Sequence, residues 1–565
     1  MTNLGGEGEE IRGLEAEGDR SAEVWMRAGQ LDLPLEHGEE ELRRAVLERL
    51  GTNEEDLLAW KIRQRAIDAR RRRPVRLVYT VDVQLRNRQK AGKLVRRVQR
   101  GELPGVTMRP DERYRFLVEN RRFRPAARRP VIVGTGPCGL FAGLLLARLG
   151  LRPLLLERGK AAGARARDVT RFWRTGEGFD PESNVQFGEG GAGTFSDGKL
   201  YTQIRDREGR NRWILEQLAE HGAPSEILAH SRPHIGTDKL IRVLRNLRST
   251  LLDLGAEIRF ETRATGLVSE GGAIRGLRLA GGAEIEAEAV ILAVGHSARD
   301  VFAMLEAEGV PMEAKPFSVG VRIEHPQEAV DRRQYGAQAG HPLLGAADYR
   351  FVDHGSKGRA VYSFCMCPGG LVVGATSEAA RLATNGMSSY ARDRANANAG
   401  FMVEVRPEDL GAGGALAGME FQRRLEEKAF LAGGGGYRAP AQLLEDFLRG
   451  RASRGPGGVE PSFRPGVVWG DLGEVLPAFV IEALREATPR IERRLPGFNR
   501  ADAVLTAVES RSSAPLRVAR GVDMQSPSLA GLYPAGEGAG YAGGILSAAA
   551  DGLRVAEALA ARYAG

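Results

Sequence analysis

The chain has 565 residues, enough for about two to four domains and a large core. Its hydrophobic fraction of 42% and charged fraction of 27% are ordinary for a globular protein, and no apolar run reaches the roughly 20 residues a membrane helix needs. The net charge of +8 is unevenly spread: residues 61–100 hold fifteen Lys and Arg against two acids, including an arginine run at 70–73.

That stretch reads as a solvated basic face, with contact to nucleic acid or an acidic partner as the alternative. Three cysteines, Cys138, Cys365 and Cys367, are too few for a disulfide framework and lack zinc spacing. A reducing cytoplasm and no structural metal are therefore expected. Residues 1–24 are acidic without an apolar core, so they read as a disordered tail rather than a secretory signal.

A small basic module is expected over 25–127. Leu31, Leu33 and Leu35 alternate as in a half-buried strand. A helix follows over 39–50, with Leu42, Ala45, Val46 and Leu50 at helical spacing, acids in its first turn and Gly51 closing it. Strands are expected at 61–69 and at 75–85, where Val75, Leu77, Tyr79, Val81, Val83 and Leu85 keep a strict period of two. This order suggests a ferredoxin-like or similar α+β module. The basic run 86–129, with Pro104, Pro110 and Pro125, reads as module edge and linker.

The chain is organised around residues 131–159. A β-branched run at 131–133 enters Gly134, Gly136 and Gly139, then a helical pattern, then an apolar run at 153–156 that ends on Glu157. Strand, glycine turn, helix, strand and acid form the dinucleotide-binding unit. Gly134 permits the turn, Gly136 lets a pyrophosphate approach the backbone, and Gly139 lets the helix pack against the sheet. The N–H groups at the helix start, beside Pro137 and Cys138, then face phosphate. Glu157 stands where a carboxylate accepts both ribose hydroxyls and repels a 2′-phosphate, which favours FAD or NAD over NADP. The first FAD-binding segment is placed at 128–314.

A basic connection is expected at 158–170, beginning with Arg158, and a glycine-rich segment at 187–207. Gly188, Gly190, Gly191, Gly193 and Gly198 imply positive φ or close approach. Thr194, Ser196 and Asp197 offer hydrogen bonds and Lys199 a charge, so cofactor contact is expected. An amphipathic helix at 237–255, with Thr237 as N-cap, precedes strands at 257–261, 266–268, 274–279 and 284–288. A buried strand at 289–295 ends on Gly295, beside His296 and Ser297. Residues 315–499 alternate short strands, glycine-rich loops and a few helices, as in a substrate cap. The nucleotide fold resumes over 500–565 with a strand, the acidic turn of Gly536 and Glu537, and a helix at 547–561.

The two glycine-rich ends resemble the glutathione reductase type of flavoprotein. That resemblance implies Glu537 on the ribityl hydroxyls of FAD and the amides of Tyr541, Ala542, Gly543 and Gly544 at the flavin edge. A closer resemblance covers nearly the whole chain after Trp25. The segments RAIDAR, GTGPCGLFAGLLLARLG, FGEGGAGTFSDGKL, VGVRIEHP, SFCMCPGGLVV, TNGMSSY and YPAGEGAGYAGGI are similar to a bacterial and plastid family of uncharacterised FAD-dependent dehydrogenases. The implied fold is α/β, with a Rossmann-like FAD-binding domain of glutathione-reductase type, a mixed α+β cap and the N-terminal module.

No second strand-GxGxxG-helix unit follows, and no CxxxxC pair flanks the first motif. Reducing equivalents therefore come from a substrate, a transiently bound NAD(P)H or a redox partner. Cys365 and Cys367 share a face in a regular strand and read either as a redox pair or as two small buried hydrophobes. Cys138 reads as structural, although a helix start can lower a thiol's pKa. In the strand 318–325, Arg322 and Glu324 share one face and His325 takes the other, where it relays protons or bonds a loop. Arg511 binds an anionic substrate group or pairs with Glu509.

The reading is a cytoplasmic FAD-dependent oxidoreductase that passes hydride or electrons between flavin and an unidentified substrate under the cap. The alternatives are a flavoprotein acting on or with RNA through its basic module, and a flavin electron carrier or redox sensor.

Overall fold

The computed structural model describes residues 24–70, 73–86, 88–115, 128–202, 206–356, 358–411 and 413–564. The acidic tail up to residue 23, most of the linker (116–127), Arg71 and Arg72 of the arginine run, and residues 203–205 of the glycine-rich segment lie outside them. The described residues divide into two compact units, one within 24–68 and 76–111, the other within 69–75 and 112–564.

In the first unit, four antiparallel strands are ordered Leu57–Asp68, Arg76–Leu85, Trp25–Pro34, Val106–Met108. Leu77, Tyr79, Val81 and Val83 of the second are buried at alternate positions, as the pleat requires. The helix Glu39–Leu50 buries Leu42, Val46 and Leu50, and Gly51 ends it in the left-handed conformation. A second helix, Arg88–Gln99, and the strand Val106–Met108 occupy the stretch expected to be module edge and linker. The helix carries Ala91, Leu94, Val95 and Val98 at helical spacing, and Ala91 and Leu94 are buried.

The second unit contains a five-stranded parallel sheet ordered Leu532–Pro534, Val290–Leu292, Val131–Val133, Leu154–Leu156, Glu257–Arg259. From Val131–Val133 the chain builds outward through Leu154–Leu156 to Glu257–Arg259. It then crosses back to Val290–Leu292 and Leu532–Pro534. The order reverses beside Val131–Val133, and the crevice at such a switch point is where doubly wound sheets take ligands. VIV, LLL and VIL are buried on both faces, which is why they lack alternation. The helices Pro137–Arg148 and Ile545–Ala561 help to cover one face with an apolar layer, and the helix Arg299–Ala307 packs on the other.

Gly134 and Gly139 are needed where they stand. Gly134 has φ +104, and a Cβ on Gly139 would lie 1.9 Å from the Gly134 carbonyl oxygen. The helix enters that close to the strand only because both lack side chains.

A seven-stranded sheet follows, ordered Val352–His354, Ala360–Cys367, Asn396–Val405, Phe317–Pro326, Val504–Glu509, Ala439–Leu443, Val467–Trp469. It includes Val504–Glu509, past the expected break at residue 499. Two expectations are corrected locally. The connection expected at 158–170 is helical from residue 162, in the helix Ala162–Thr175, which runs past its end. Thr237 is the first helical residue and not the N-cap; Gly236 caps, and the Thr237 hydroxyl donates to the Ser196 carbonyl at 3.0 Å. Among the described residues no helix is long and apolar enough to cross a membrane.

Candidate functional site

One deep cavity opens at the switch point, and three parts of the second unit wall it. The first is the glycine turn after Val133, with Gly134, Gly136, Pro137 and Cys138. Gly136 caps the helix Pro137–Arg148, and Pro137 gives up no bond there because the first helical N–H has no helical partner. Gly191 faces it so closely that a Cβ on Gly191 would stand 3.2 Å from the Gly136 Cα. Two bare backbones therefore pack against each other at the cavity wall, and their lack of side chains leaves the helix start open to a pyrophosphate.

Glu157 and Arg158 continue the wall. Glu157 Oε2 accepts from the Thr135 N–H at 2.9 Å and its hydroxyl at 2.8 Å. Oε1 accepts from Gly159 N at 3.0 Å and Gly188 N at 2.9 Å. These bonds fill the carboxylate's acceptor positions, so Glu157 ties three backbone segments together, and a ribose hydroxyl has to displace one of them. Arg158 lies over the Phe187 ring at 4.0 Å and pairs with Glu182 and Asp300.

The glycine-rich loop is held by Arg165, a residue sequence reasoning passed over. Its guanidinium is wholly buried and donates to the carbonyls of Asn184, Val185, Gly188, Glu189 and Gly191 at 2.7–3.3 Å. Such a cation does the work of a small core for a loop whose backbone would otherwise lack partners. Gly191, Gly193, Ser196 and Lys199 reach the cavity from this loop.

The second part is the C-terminal turn. Glu537, Gly543 and Gly544 line the cavity beside Gly295 and His296. A Cβ at Gly543 would meet nothing within 4 Å, so this helix start opens onto empty space. Burial pushes the Glu537 carboxyl up to about 7, against the pull of Lys315 and the Gly544 N–H. Burial, then Arg511 and Arg299, hold His296 down at about 3, so this ring is neutral. Its Nε2 lies 3.7 Å from Glu537 Oε1.

The third part comes from the seven-stranded sheet and its neighbouring hairpin: Phe364, Cys365, Cys367, Asn385 and Gly386. Behind them sits Arg322, wholly buried, donating to the Cys365 carbonyl at 2.8 Å, Asn385 Oδ1 at 2.7 Å, Asn398 Oδ1 at 3.1 Å and Glu509 Oε1 at 2.8 Å. Desolvation by the surrounding protein pushes the Cys365 thiol up to about 12, against Lys199 and Arg322, and raises Cys367 as well, although Cys365 is exposed and only Cys367 is buried.

Several expected site residues lie elsewhere. His325 is corrected: it points into an aromatic cluster with Tyr349 and Phe498, its Nε2 is 2.8 Å from the Phe498 carbonyl, and it does not reach the cavity. Arg511 lines the cavity, but its guanidinium is spent on Glu426 (2.8 Å and 3.0 Å) and Ser377; Glu509 pairs with Arg322 instead. Gly190 and Thr194 line a smaller apolar pocket, and the Thr194 hydroxyl is 3.3 Å from both Arg165 and the Glu189 carbonyl. Gly139 faces the strand, and the Gly536 N–H is bonded to Asp551 at 2.7 Å. Tyr541 stacks under Arg520 at 3.7 Å, and it and Ala542 lie off the cavity wall. Cys138 lines the cavity but is not an activated thiol, because burial raises it well above its ordinary value. Asn385, Ser512 and His296 also line the cavity, although sequence reasoning assigned them no role: Asn385 lies in the TNGMSSY segment and His296 follows Gly295, the signals that could have marked these two.

A parallel sheet with a glycine turn at its switch point, faced by a second sheet across a deep cavity, is the architecture of an FAD-dependent oxidoreductase. Residues 132–195 match an NAD(P)-binding Rossmann-like domain, 316–512 a FAD-dependent protein, C-terminal domain-like, and 26–84 a domain of unknown function. An uncharacterized protein of Clostridium beijerinckii is 43% identical over 539 residues, covering 95% of this chain and 99% of that one. The chain belongs to that relative's family, one of FAD-dependent oxidoreductases, and its cofactor is FAD.

Solved structures with some likeness include L-proline dehydrogenase of P. horikoshii, 14% identical over 78% of this chain and 95% of that one, with a TM-score of 0.33. A glycine oxidase of Bacillus cereus is 11% identical over 77% and 95%, with a TM-score of 0.30. The quinol fumarate reductase of E. coli is 13% identical over 77% and 70%, with a TM-score of 0.34. At such scores these likenesses say nothing of this chain's own substrate.

Proposed function

We propose that the chain is a flavoprotein of glutathione-reductase type that binds FAD along the switch-point cavity and exchanges hydride or electrons with a small substrate held against the second sheet. The observation that carries this reading is the shared cavity. The turn of Gly134 and Gly136, the helix start at Gly543 and Gly544, Cys365 and Cys367 of the second sheet, and Asn385 of its neighbouring hairpin all wall one space. Bound there, FAD supplies two-electron chemistry.

The chain's own groups position and enclose. Amides at the start of Pro137–Arg148 face the pyrophosphate, and those at Gly543 and Gly544 put a helix dipole at the flavin edge. Glu537, with its raised pKa, gives up its proton to accept from the ribityl hydroxyls. Neutral His296 and the side chains of Phe364 and Asn385 complete the substrate wall. Reducing equivalents enter from the substrate, from transiently bound NAD(P)H or from a redox partner.

The first unit is read as a ferredoxin-like module, supported by the strand order that places Trp25–Pro34 between Arg76–Leu85 and Val106–Met108. Three free thiols suit a reducing cytoplasm. Anaerobic bleaching of the bound flavin against a metabolite panel that includes NADH and NADPH tests the reading. A substrate gives rapid bleaching; a flavin reduced only by dithionite refutes it.

A further inference from the structure

The two sulfurs of the cavity wall are given no task by that reading. Cys365 and Cys367 end the strand Ala360–Cys367, and both line the cavity. The strand is irregular there. Its pairing with Asn396–Val405 slips between Phe364 and Cys367, and Cys365 has φ +37. A non-glycine residue held in the left-handed region persists only where its surroundings fix it, and such positions cluster at functional sites.

The surroundings here are two cations. Arg322 donates to the Cys365 carbonyl at 2.8 Å, and the Lys199 ammonium donates to the Met366 carbonyl. Cys367 Sγ lies 3.2 Å from the same Cys365 carbonyl, which draws the second sulfur back toward the first residue. Arg322 is itself anchored by Glu509 and Asn385, and Lys199 is flanked by Asp197 at 3.5 Å. A segment of three residues is thus clamped from both sides, with Cys365 exposed and Cys367 buried beside it where both line the cavity.

Desolvation keeps both thiols neutral at rest, so exchange requires a proton to leave each sulfur as it reacts, and Lys199 and Arg322 beside them favour the thiolate as it forms. A dithiol and a disulfide are both uncharged, and neither puts an ion in the cavity. The arrangement is therefore stable on both sides of a two-electron exchange.

We propose that Cys365 and Cys367 form a dithiol–disulfide couple that exchanges two electrons with the flavin of the same cavity. The inference rests on the reading of that cavity as the FAD site. Oxidation breaks the two S–H bonds and forms one S–S bond; the two electrons and two protons pass to FAD, giving FADH2. The reverse step returns the thiols and oxidised FAD.

Anaerobic dithionite titration of the air-oxidised holoprotein tests it. Wild type takes up about four electrons per flavin, and Cys365→Ser or Cys367→Ser about two, since each couple carries an electron pair. About two electrons in wild type overturns the couple and leaves the FAD reading intact, whereas a preparation without flavin overturns the reading beneath it. A second measurement needs neither flavin nor a folded variant. Of the three cysteines, the oxidised wild-type chain denatured in iodoacetamide gains one label, mapped to Cys138, and the dithiothreitol-reduced chain gains three. Three labels in both states overturns the proposal.

Discussion

Replacing Glu426 by glutamine removes one negative charge from between two buried arginines. Glu426 is fully buried, on the helix Ala417–Ala432. It accepts from Arg299 at 2.8 Å and 2.9 Å, from Arg511 at 2.8 Å and 3.0 Å, and from Ser510 at 2.6 Å. Arg299 begins a helix packed on the parallel sheet, and Arg511 follows the last strand of the seven-stranded sheet. One carboxylate thus joins both halves of the second unit behind the cavity.

Glutamine keeps the shape but leaves two guanidinium groups with too few acceptors, and its amide N–H groups face their donors. Breaking a buried pair on one side costs about 3–5 kcal/mol. Urea unfolding followed by circular dichroism and by flavin fluorescence measures the loss. The pH dependence is also fixed. Burial alone would raise Glu426, but the Arg299 and Arg511 guanidinium groups hold it well below the ordinary carboxylate range. Its stabilisation is therefore fully present above the unfolded carboxylate range and is lost as pH falls through the lower folded value. The gap between wild type and Glu426→Gln stays constant near neutrality and narrows only in acid. A neutral-pH loss under about 1 kcal/mol, or a gap that widens in acid, refutes the reasoning.

Two glycines separate packing from cofactor space. Gly139→Ala puts a methyl 1.9 Å from the Gly134 carbonyl and should yield insoluble or strongly destabilised protein, whereas Gly543→Leu points into open cavity. The latter should keep the apoprotein's melting temperature while weakening FAD binding at least about tenfold, a change of about 1.4 kcal/mol, read by fluorescence titration. Arg165→Met strands the five carbonyls it serves and should cost about 3–5 kcal/mol, with new protease cleavage within 184–191. Burial pushes Glu537 up to about 7, and ribityl hydroxyls favour its ionised form, so FAD binding releases a proton. Affinity should rise as pH climbs toward about 7 and then level off, and Glu537→Gln should flatten that rise in a pH series of titrations.

What was legible in the residues was local. Val131–Val133, the spacing of Gly134, Gly136 and Gly139, and the helix after them are set by backbone sterics and a short apolar period, so they can be read in one pass. The helix Arg88–Gln99 obeyed the same rule through Ala91, Leu94, Val95 and Val98, but its basic residues made the stretch look like a linker. Partnerships between distant segments were not legible. Nothing near Arg511 indicates that it meets Glu426, or that Glu509 belongs to Arg322, because those pairs form only when the sheets assemble. Cys365 and Cys367 do face one cavity, yet through a bulge and not through the simple alternation their spacing suggests.

The central claim is that Gly136 and Gly543 close on a single FAD, and equilibrium dialysis of the full-length apoprotein against FAD tests it directly. One FAD per chain is expected, retained by wild type on gel filtration and bound at least about tenfold more weakly by Gly543→Leu. A wild-type protein that stays colourless and binds no FAD, or a Gly543→Leu variant that binds it as tightly as wild type, contradicts it.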